Sequence, residues 1–241
     1  MEDNRKISIV IPTFNRFELL FKSFETVYDD DRVKEIVIVD DNSDYGIFEL
    51  VYIRSLTMPK IKLIRNEKNL DCYANKKEAV FHSQTDWVIL LDSDNVISRD
   101  YLDALFKIKE WDDTTIYTPE FAAPLFNFKL YAGLLLTKEN VSEWVDMPML
   151  STMLNAANYF VNRDNYLRVW DGSIDPVTSD SIYMVLNWLK SGYKIYVTEE
   201  LQYYHRVDNH DGEAASHYQT NVRRTKEGFH DTIINTLRSL K

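Results

Sequence analysis

An apolar run, Trp87-Val88-Ile89-Leu90-Leu91, ends abruptly in two carboxylates one residue apart, Asp92 and Asp94. A run of that length reads as a strand buried on both faces of a sheet. Charge cannot continue into such a core, so Asp92 marks where the strand emerges. Residues i and i+2 of a strand point the same way, so both carboxylates can aim at one spot beyond the sheet edge. Held that close they repel each other unless something positive lies between them. A hard divalent cation, Mg²⁺ or Mn²⁺, shared with substrate phosphates, is one answer. The plainer alternative is a strand end followed by an Asp/Asn turn and a helix cap.

The elements that must position this pair alternate in type. Ile7 to Ile11 reads as a strand stopped by Pro12, and Pro12 to Arg16 as a loop. Phe17 to Tyr28 has helical apolar spacing. Glu35 to Val39 is a second buried strand, closed by the acidic turn Asp40-Asp41-Asn42-Ser43-Asp44. A helix from Gly46 to about Leu56, a strand from Ile61 to Ile64 and a helix from Tyr73 to Ser83 precede the Asp92 strand. Ser98 can then cap a helix from Arg99 to Lys109. Four strands alternating with helices imply βαβ units and an α/β fold with a mainly parallel sheet. Right-handed crossovers put the carboxyl ends of such strands on one edge, where open α/β sheets bind ligands. The turns at Thr13, Asp41 and Asp92 to Asp94 therefore converge. No Gly-rich phosphate loop follows the first strand, so phosphate would be held through metal and side chains.

Composition narrows the class. Hydrophobic residues make up 45% of the 241, enough for a sizeable core. The net charge of −10 argues against a general nucleic-acid binder. Cys72 is the single cysteine, which excludes an internal disulfide and fits a reducing, cytoplasmic setting; it is expected to fill core space. No apolar run is long enough to span a membrane, and peripheral membrane contact stays open. Thr118 to Leu154 is crowded with aromatics and Met and resolves into no clear pattern. A strand is expected from Lys194 to Val197. Val222, Phe229, Ile233, Leu237 and Leu240 read as a terminal helix that docks on its own domain, with a homodimer contact as the second reading.

Four segments in order carry a family resemblance: Ser8 to Arg16, Ile36 to Ser43, Asn69 to Lys77, and Leu90 to Asn95. Together they resemble the family 2 glycosyltransferases of GT-A fold: a Rossmann-like, mainly parallel sheet flanked by helices, with a smaller acceptor-side region. Ala157 to Asp175 and the segment around Asp180 resemble the family's second half more loosely. The resemblance implies a nucleotide-sugar-binding half at 1–112, an acceptor-side half at 113–215 and a C-terminal helix at 216–241. It implies that Pro12, Thr13 and Asn15 hold base and ribose, that Asp41 accepts from the base, and that Lys76 and Ser93 lie against the nucleotide. Asp92 and Asp94 form the DxD motif, Asp94 on the metal and Asp92 on ribose or metal. Asp180 is the general base. A late histidine, His210 first and His205 second, reaches the metal or diphosphate. The sequence departs from the family at Leu70-Asp71, where Gly often follows the Asn, and at Ser179-Asp180, where the family has Glu-Asp.

The implied activity is metal-dependent transfer, with inversion, of a sugar from a nucleoside-diphosphate donor, UDP-sugar first. The implied acceptor is a glycan or glycolipid hydroxyl, in polysaccharide or glycoconjugate synthesis. Two other classes compete. A catalytically inactive sugar-nucleotide-binding scaffold would lack a metal carboxylate or the base, yet Asp92, Asp94 and Asp180 are all present. A nucleotidyltransferase would release pyrophosphate instead of a nucleoside diphosphate. Against a receiver-type signalling domain stand Pro12-Thr13 after the first strand, where its acidic pair belongs, and a length about twice that expected.

Overall fold

The computed structural model describes residues 4–155, 158–172, 179–206 and 228–240. Its centre is one sheet of nine strands: β1 Ile7–Thr13, β2 Val33–Asp40, β3 Ile61–Arg65, β4 Trp87–Leu90, β5 Thr115–Ala123, β6 Phe126–Asn127, β7 Leu135–Leu136, β8 Phe160–Asn162 and β9 Lys194–Tyr204. The strand order is β3-β2-β1-β4-β8-β5-β9-β7, with β6 paired to β5. β1 to β4 run parallel. β8 is antiparallel to both β4 and β5, so β5 points the same way as β4, and β9 follows it. The carboxyl ends of β1, β2, β4, β5 and β9 thus share one edge. The sheet is mixed and mainly parallel, as the alternation of strands and helices predicts.

The central strands are apolar on both faces, as a sheet covered by helices on both sides requires. Ile9, Val10, Ile11, Ile36 to Val39 and Val88 to Leu91 are all fully buried. Leu90→Ala is expected to lower unfolding stability by about 2–5 kcal/mol, through lost transfer energy and the cavity left behind. A chemical denaturation curve measures this, and a loss below about 1 kcal/mol would contradict that packing.

Several boundaries differ from the sequence reading, each for a local reason. Pro12 does not stop β1; the strand continues through Pro12 opposite Val39 to Thr13 opposite Asp40. The backbone polar groups of Thr13 face β2, since Asp41 N donates to Thr13 O, while those of Val10 face β4 and accept from Leu91 N. Pro12 therefore turns toward β4 beyond the end of their pairing, where its missing N–H costs no ladder bond. The expected helix from Phe17 breaks into α1, Glu18–Lys22, and a 3₁₀ turn, Glu25–Val27. At the break Ser23 donates its hydroxyl to Leu20 O at 2.7 Å, and its own carbonyl accepts from Ile97 N. α2 spans Tyr45–Ser55, α3 Asp71–Phe81 and α4 Arg99–Lys107; Ser98 precedes α4 but its hydroxyl makes no capping bond.

The unreadable stretch opens with β5, which begins before it and pairs with β9 along its length; Pro119 and a register shift before Phe121 interrupt the pattern. The short helices α5 Val141–Trp144, α6 Leu150–Asn155 and α7 Arg163–Val169 follow, then α8 Asp180–Lys190. The last helix, α9 Phe229–Ser239, docks on its own chain: Ile233 and Leu237 are buried, Phe229 meets Tyr183, and Arg238 pairs with Asp146. β9 continues well past the expected Val197. Among the described residues no helix is long and apolar enough to cross a membrane.

Candidate active site

The shared strand edge gathers the predicted turns. Asp41 N donates to Thr13 O at 2.8 Å, which ties the ends of β1 and β2 together. Asn15 and Asn42 both adopt positive φ, 50° and 60°, a region Asn tolerates. Asn15 N donates to Ser43 Oγ and Asn15 Oδ1 accepts from Asp44 N, both at 2.8 Å. The two turns are therefore one hydrogen-bonded unit.

Behind them Asp41 Oδ1 accepts from Leu70 N and Asn66 Nδ2, each at 2.8 Å. Asn69 Nδ2 donates to Asp41 O, and Asn75 links Asn66 to Val39 O. Burial raises the Asp41 pKa, while the Leu70 and Asn66 donors oppose the rise. The backbone N–H of Leu70 and the side-chain amide of Asn66 thus orient this carboxylate.

The acidic pair sits at the end of β4. Asp92 N donates to Asn158 Oδ1 at 2.8 Å. Lys76, on α3, reaches Asp92 Oδ1 at 3.3 Å and Asp180 Oδ2 at 2.7 Å, with Ser181 Oγ at 3.3 Å. Burial alone would lower the Lys76 pKa, but Asp180 and Asp92 outweigh it and hold the ammonium well above its ordinary value. Arg16, 6% exposed, pairs with Asp94 Oδ2 at 3.0 Å and donates to Ser93 Oγ at 3.2 Å. Each carboxylate of the pair thus has a side-chain cation beside it, Arg16 at Asp94 and, shared with Asp180, Lys76 at Asp92.

Asp180 is the first residue of α8, where the helix dipole favours an anion. Ser179 before it has φ 62°, and its Oγ lies 3.1 Å from His230 Nδ1 on α9. The terminal helix therefore braces the residue preceding Asp180. Beside α8, Tyr183 donates to Asp171 Oδ2 at 3.0 Å, and Trp170 stacks on Tyr73 with centroids 5.6 Å apart.

The long β9 delivers His205 to the same edge. His205 N donates to Ala123 O, and Arg206 N donates to Asn95 Oδ1 at 3.0 Å, stitching β9 to the acidic turn. Burial lowers the His205 pKa and outweighs the opposing pull of Asp92 and Asp94. Tyr203 OH and His205 Nδ1 are 3.0 Å apart. His210 lies outside the described residues. Among the described residues no three His, Cys, Asp or Glu side chains form a group that could hold a metal ion by themselves. The oxygen donors of Asp92 and Asp94 suit Mg²⁺ or Mn²⁺, with further ligands drawn from elsewhere.

Sequence reasoning missed Arg16, Asn66, Asn75 and Asn158. Arg16 stood inside the first motif, but a charge in a loop reads as solvated, and only its burial reveals its partner. Cys72 is a correction: it is half-buried and borders the site, within electrostatic reach of Asp180, Lys76 and Asp92. Burial and Asp180 push its thiol well up. Iodoacetamide at pH 8 is therefore expected to alkylate Cys72 at least about 5-fold more slowly than a free thiol. Mass spectrometry over time measures this, and alkylation at the free-thiol rate would contradict it. A separate cavity of about 520 Å³, lined by Lys107, Tyr117, Tyr196, Glu199 and Glu200, contains none of the site groups.

Residues 8–160 match the sequence profile described as Glycosyl transferase family 2, well over half of the chain. The putative colanic acid biosynthesis glycosyl transferase WcaA of Escherichia coli (strain K12) is 26% identical over 155 residues, 58% of this chain and 56% of that protein. The chain therefore spans about half the length of this curated relative. A crystal structure of S. aureus TarS 1-349 superposes with a TM-score of 0.64 at 17% identity, covering 96% of this chain and 70% of that one. The mannosyltransferase PcManGT from Pyrobaculum calidifontis, in complex with GDP-Man and Mn²⁺, superposes at 0.61 with 15% identity, covering 98% and 70%. At those identities the structural likeness establishes the GT-A fold. The sequence match, on the same strands and turns that build the acidic edge, makes this chain a member of glycosyl transferase family 2.

Proposed function

We propose that this chain transfers a sugar from a nucleoside-diphosphate donor, UDP-sugar first, to a hydroxyl of a glycan or glycolipid, with inversion. The observation that carries the reading is the chain Asp92, Lys76, Asp180, linked at 3.3 and 2.7 Å. It sets a candidate base next to the DxD carboxylates at the ligand-binding edge.

Pro12, Thr13 and Asn15 form the wall for base and ribose. Asp41, fixed through its Oδ1, receives a base N–H. Ser93 and Lys76 lie against the nucleotide. Asp94 and Asp92 would hold Mn²⁺ or Mg²⁺, and a late histidine, His210 first and His205 second, would serve the ion or the diphosphate once the donor is bound. The solved structure of PcManGT in complex with GDP-Man and Mn²⁺ supports a nucleotide-sugar donor and a divalent cation. When bound, the cation offsets charge on the departing diphosphate. Asp180 takes the acceptor hydroxyl proton as the acceptor oxygen bonds to the anomeric carbon. The bond from that carbon to the diphosphate oxygen breaks through an oxocarbenium-like state, and a nucleoside diphosphate leaves. Residues 1–112 serve the donor, and 113–215 with the terminal helix serve the acceptor. The setting is cytoplasmic glycan assembly.

The test is incubation with UDP- and GDP-sugars, Mn²⁺ and candidate acceptors, with NMR of the products. Release of nucleoside diphosphate with an inverted anomeric centre supports the reading. Release of pyrophosphate in a parallel reaction that supplies a nucleoside triphosphate and a sugar 1-phosphate, with no transfer from the nucleotide sugars, moves it to a nucleotidyltransferase.

A further inference from the structure

We propose that Arg16 and Lys76 are resident counter-ions of Asp94 and Asp92, so that the chain takes up a divalent cation tightly only together with the diphosphate of its donor. The inference rests on the donor-site reading and concerns how that site is loaded.

The geometry supplies the competition. Asp94 Oδ2 is engaged by Arg16 at 3.0 Å, with side chains 7% and 12% exposed. Asp92 Oδ1 is engaged by Lys76 at 3.3 Å. A cation entering this site must take oxygens already paired with buried positive charge, and it meets repulsion from both side chains. Separating a buried pair is costly when neither ion finds a new partner.

Charge balance shows what lowers that cost. Asp92, Asp94 and Asp180 against Arg16 and Lys76 leave one net negative charge. A divalent ion alone converts this to one net positive charge, in a part-buried site where such interactions are weakly screened. A divalent ion together with a doubly charged diphosphate restores the original balance. The diphosphate also offers a planar guanidinium what it loses on leaving Asp94, two anionic oxygens in fork geometry. Arg16 has a donor in hand for that exchange: its Nε is buried with no hydrogen-bond partner among the described residues. Among those residues, too, no third metal-binding side chain joins the pair, so phosphate oxygens are a natural source of the remaining ligands.

Coupling of this kind is reciprocal: nucleotide tightens Mn²⁺ by the factor by which Mn²⁺ tightens nucleotide. The experiment is Mn²⁺ titration of the full chain, followed by calorimetry and by the EPR signal of free Mn²⁺, alone and with saturating UDP or GDP. Wild type is expected to bind Mn²⁺ at least about 10-fold more tightly with nucleotide. Arg16→Met removes the competitor of Asp94 and the diphosphate partner together. Mn²⁺ alone should then bind several-fold more tightly than to wild type, and the coupling should fall below about 3-fold. Arg16→Lys, which keeps the charge, should retain most of the coupling.

Mn²⁺ binding to wild type that is equally tight with and without nucleotide overturns the inference and leaves the donor-site reading standing; this arm needs no variant to fold. An Arg16→Met protein with unchanged affinity and coupling overturns it as well. Failure of wild type to bind any nucleoside diphosphate, with or without Mn²⁺, overturns the donor-site reading and this inference with it.

Discussion

Asp180→Asn is expected to lower kcat by about 10²–10⁴-fold while nucleotide affinity stays within about 3-fold of wild type. The amide keeps the size and place of the carboxylate but cannot accept the acceptor proton. Asp180 also shares Lys76 with Asp92 at 2.7 and 3.3 Å. The variant therefore leaves the ammonium to Asp92 alone, which bears on the donor side only slightly. This split between turnover and binding separates a base from a structural acid. A helix-capping role alone would leave turnover intact at wild-type stability. Steady-state kinetics with a competent acceptor, beside nucleotide titration of the same preparation, reads both quantities. An Asp180→Asn enzyme with full turnover would remove Asp180 from the chemistry.

Asp94→Ala carries the other large effect, of a different kind. It removes one of the two carboxylates proposed to hold the cation and leaves Arg16, 6% exposed, without its ion-pair partner. Transfer is expected to fall by about 10²–10³-fold, the scale of losing one preorganised electrostatic contact to a leaving group. The dependence of nucleotide affinity on Mn²⁺ should disappear with it. Asp180→Asn, by contrast, should keep that dependence. The two variants thus dissect the site into a donor part and an acceptor part, and similar behaviour of both would contradict that division.

The strongly patterned elements were legible because each rested on a simple rule. Apolar runs ending in acidic turns give β2 and β4, and their alternation with helices places the three turns on one edge. The illegible parts share a physical cause, which is that their structure depends on distant partners. β5 contains Pro119 and holds its register through β9, about eighty positions further on. Arg16 reads as an ordinary loop charge, and Lys76, expected against the nucleotide, gives no sign of its acidic partners; only the pairing of residues far apart in sequence brings the two to Asp94, Asp92 and Asp180. Pro12 looked like a terminator because sequence alone does not say which neighbour its missing N–H would face. Cys72 was assigned to the core by its type, whereas its position near the start of α3 puts it beside the acidic groups.

The most direct test of the donor site is a thermal unfolding panel with UDP, GDP, dTDP and their sugars, each with and without Mn²⁺, on wild type and Asp94→Ala. A ligand that binds only the folded chain raises the melting temperature by mass action, roughly 5–10 °C at a concentration 100-fold above its Kd. The predicted result is a rise for one base that requires Mn²⁺, is absent with Mn²⁺ alone and vanishes in Asp94→Ala. A well-folded wild-type protein whose melting temperature moves with no nucleotide, in the presence of Mn²⁺ or without it, would contradict the assignment of this edge as a nucleotide-sugar site.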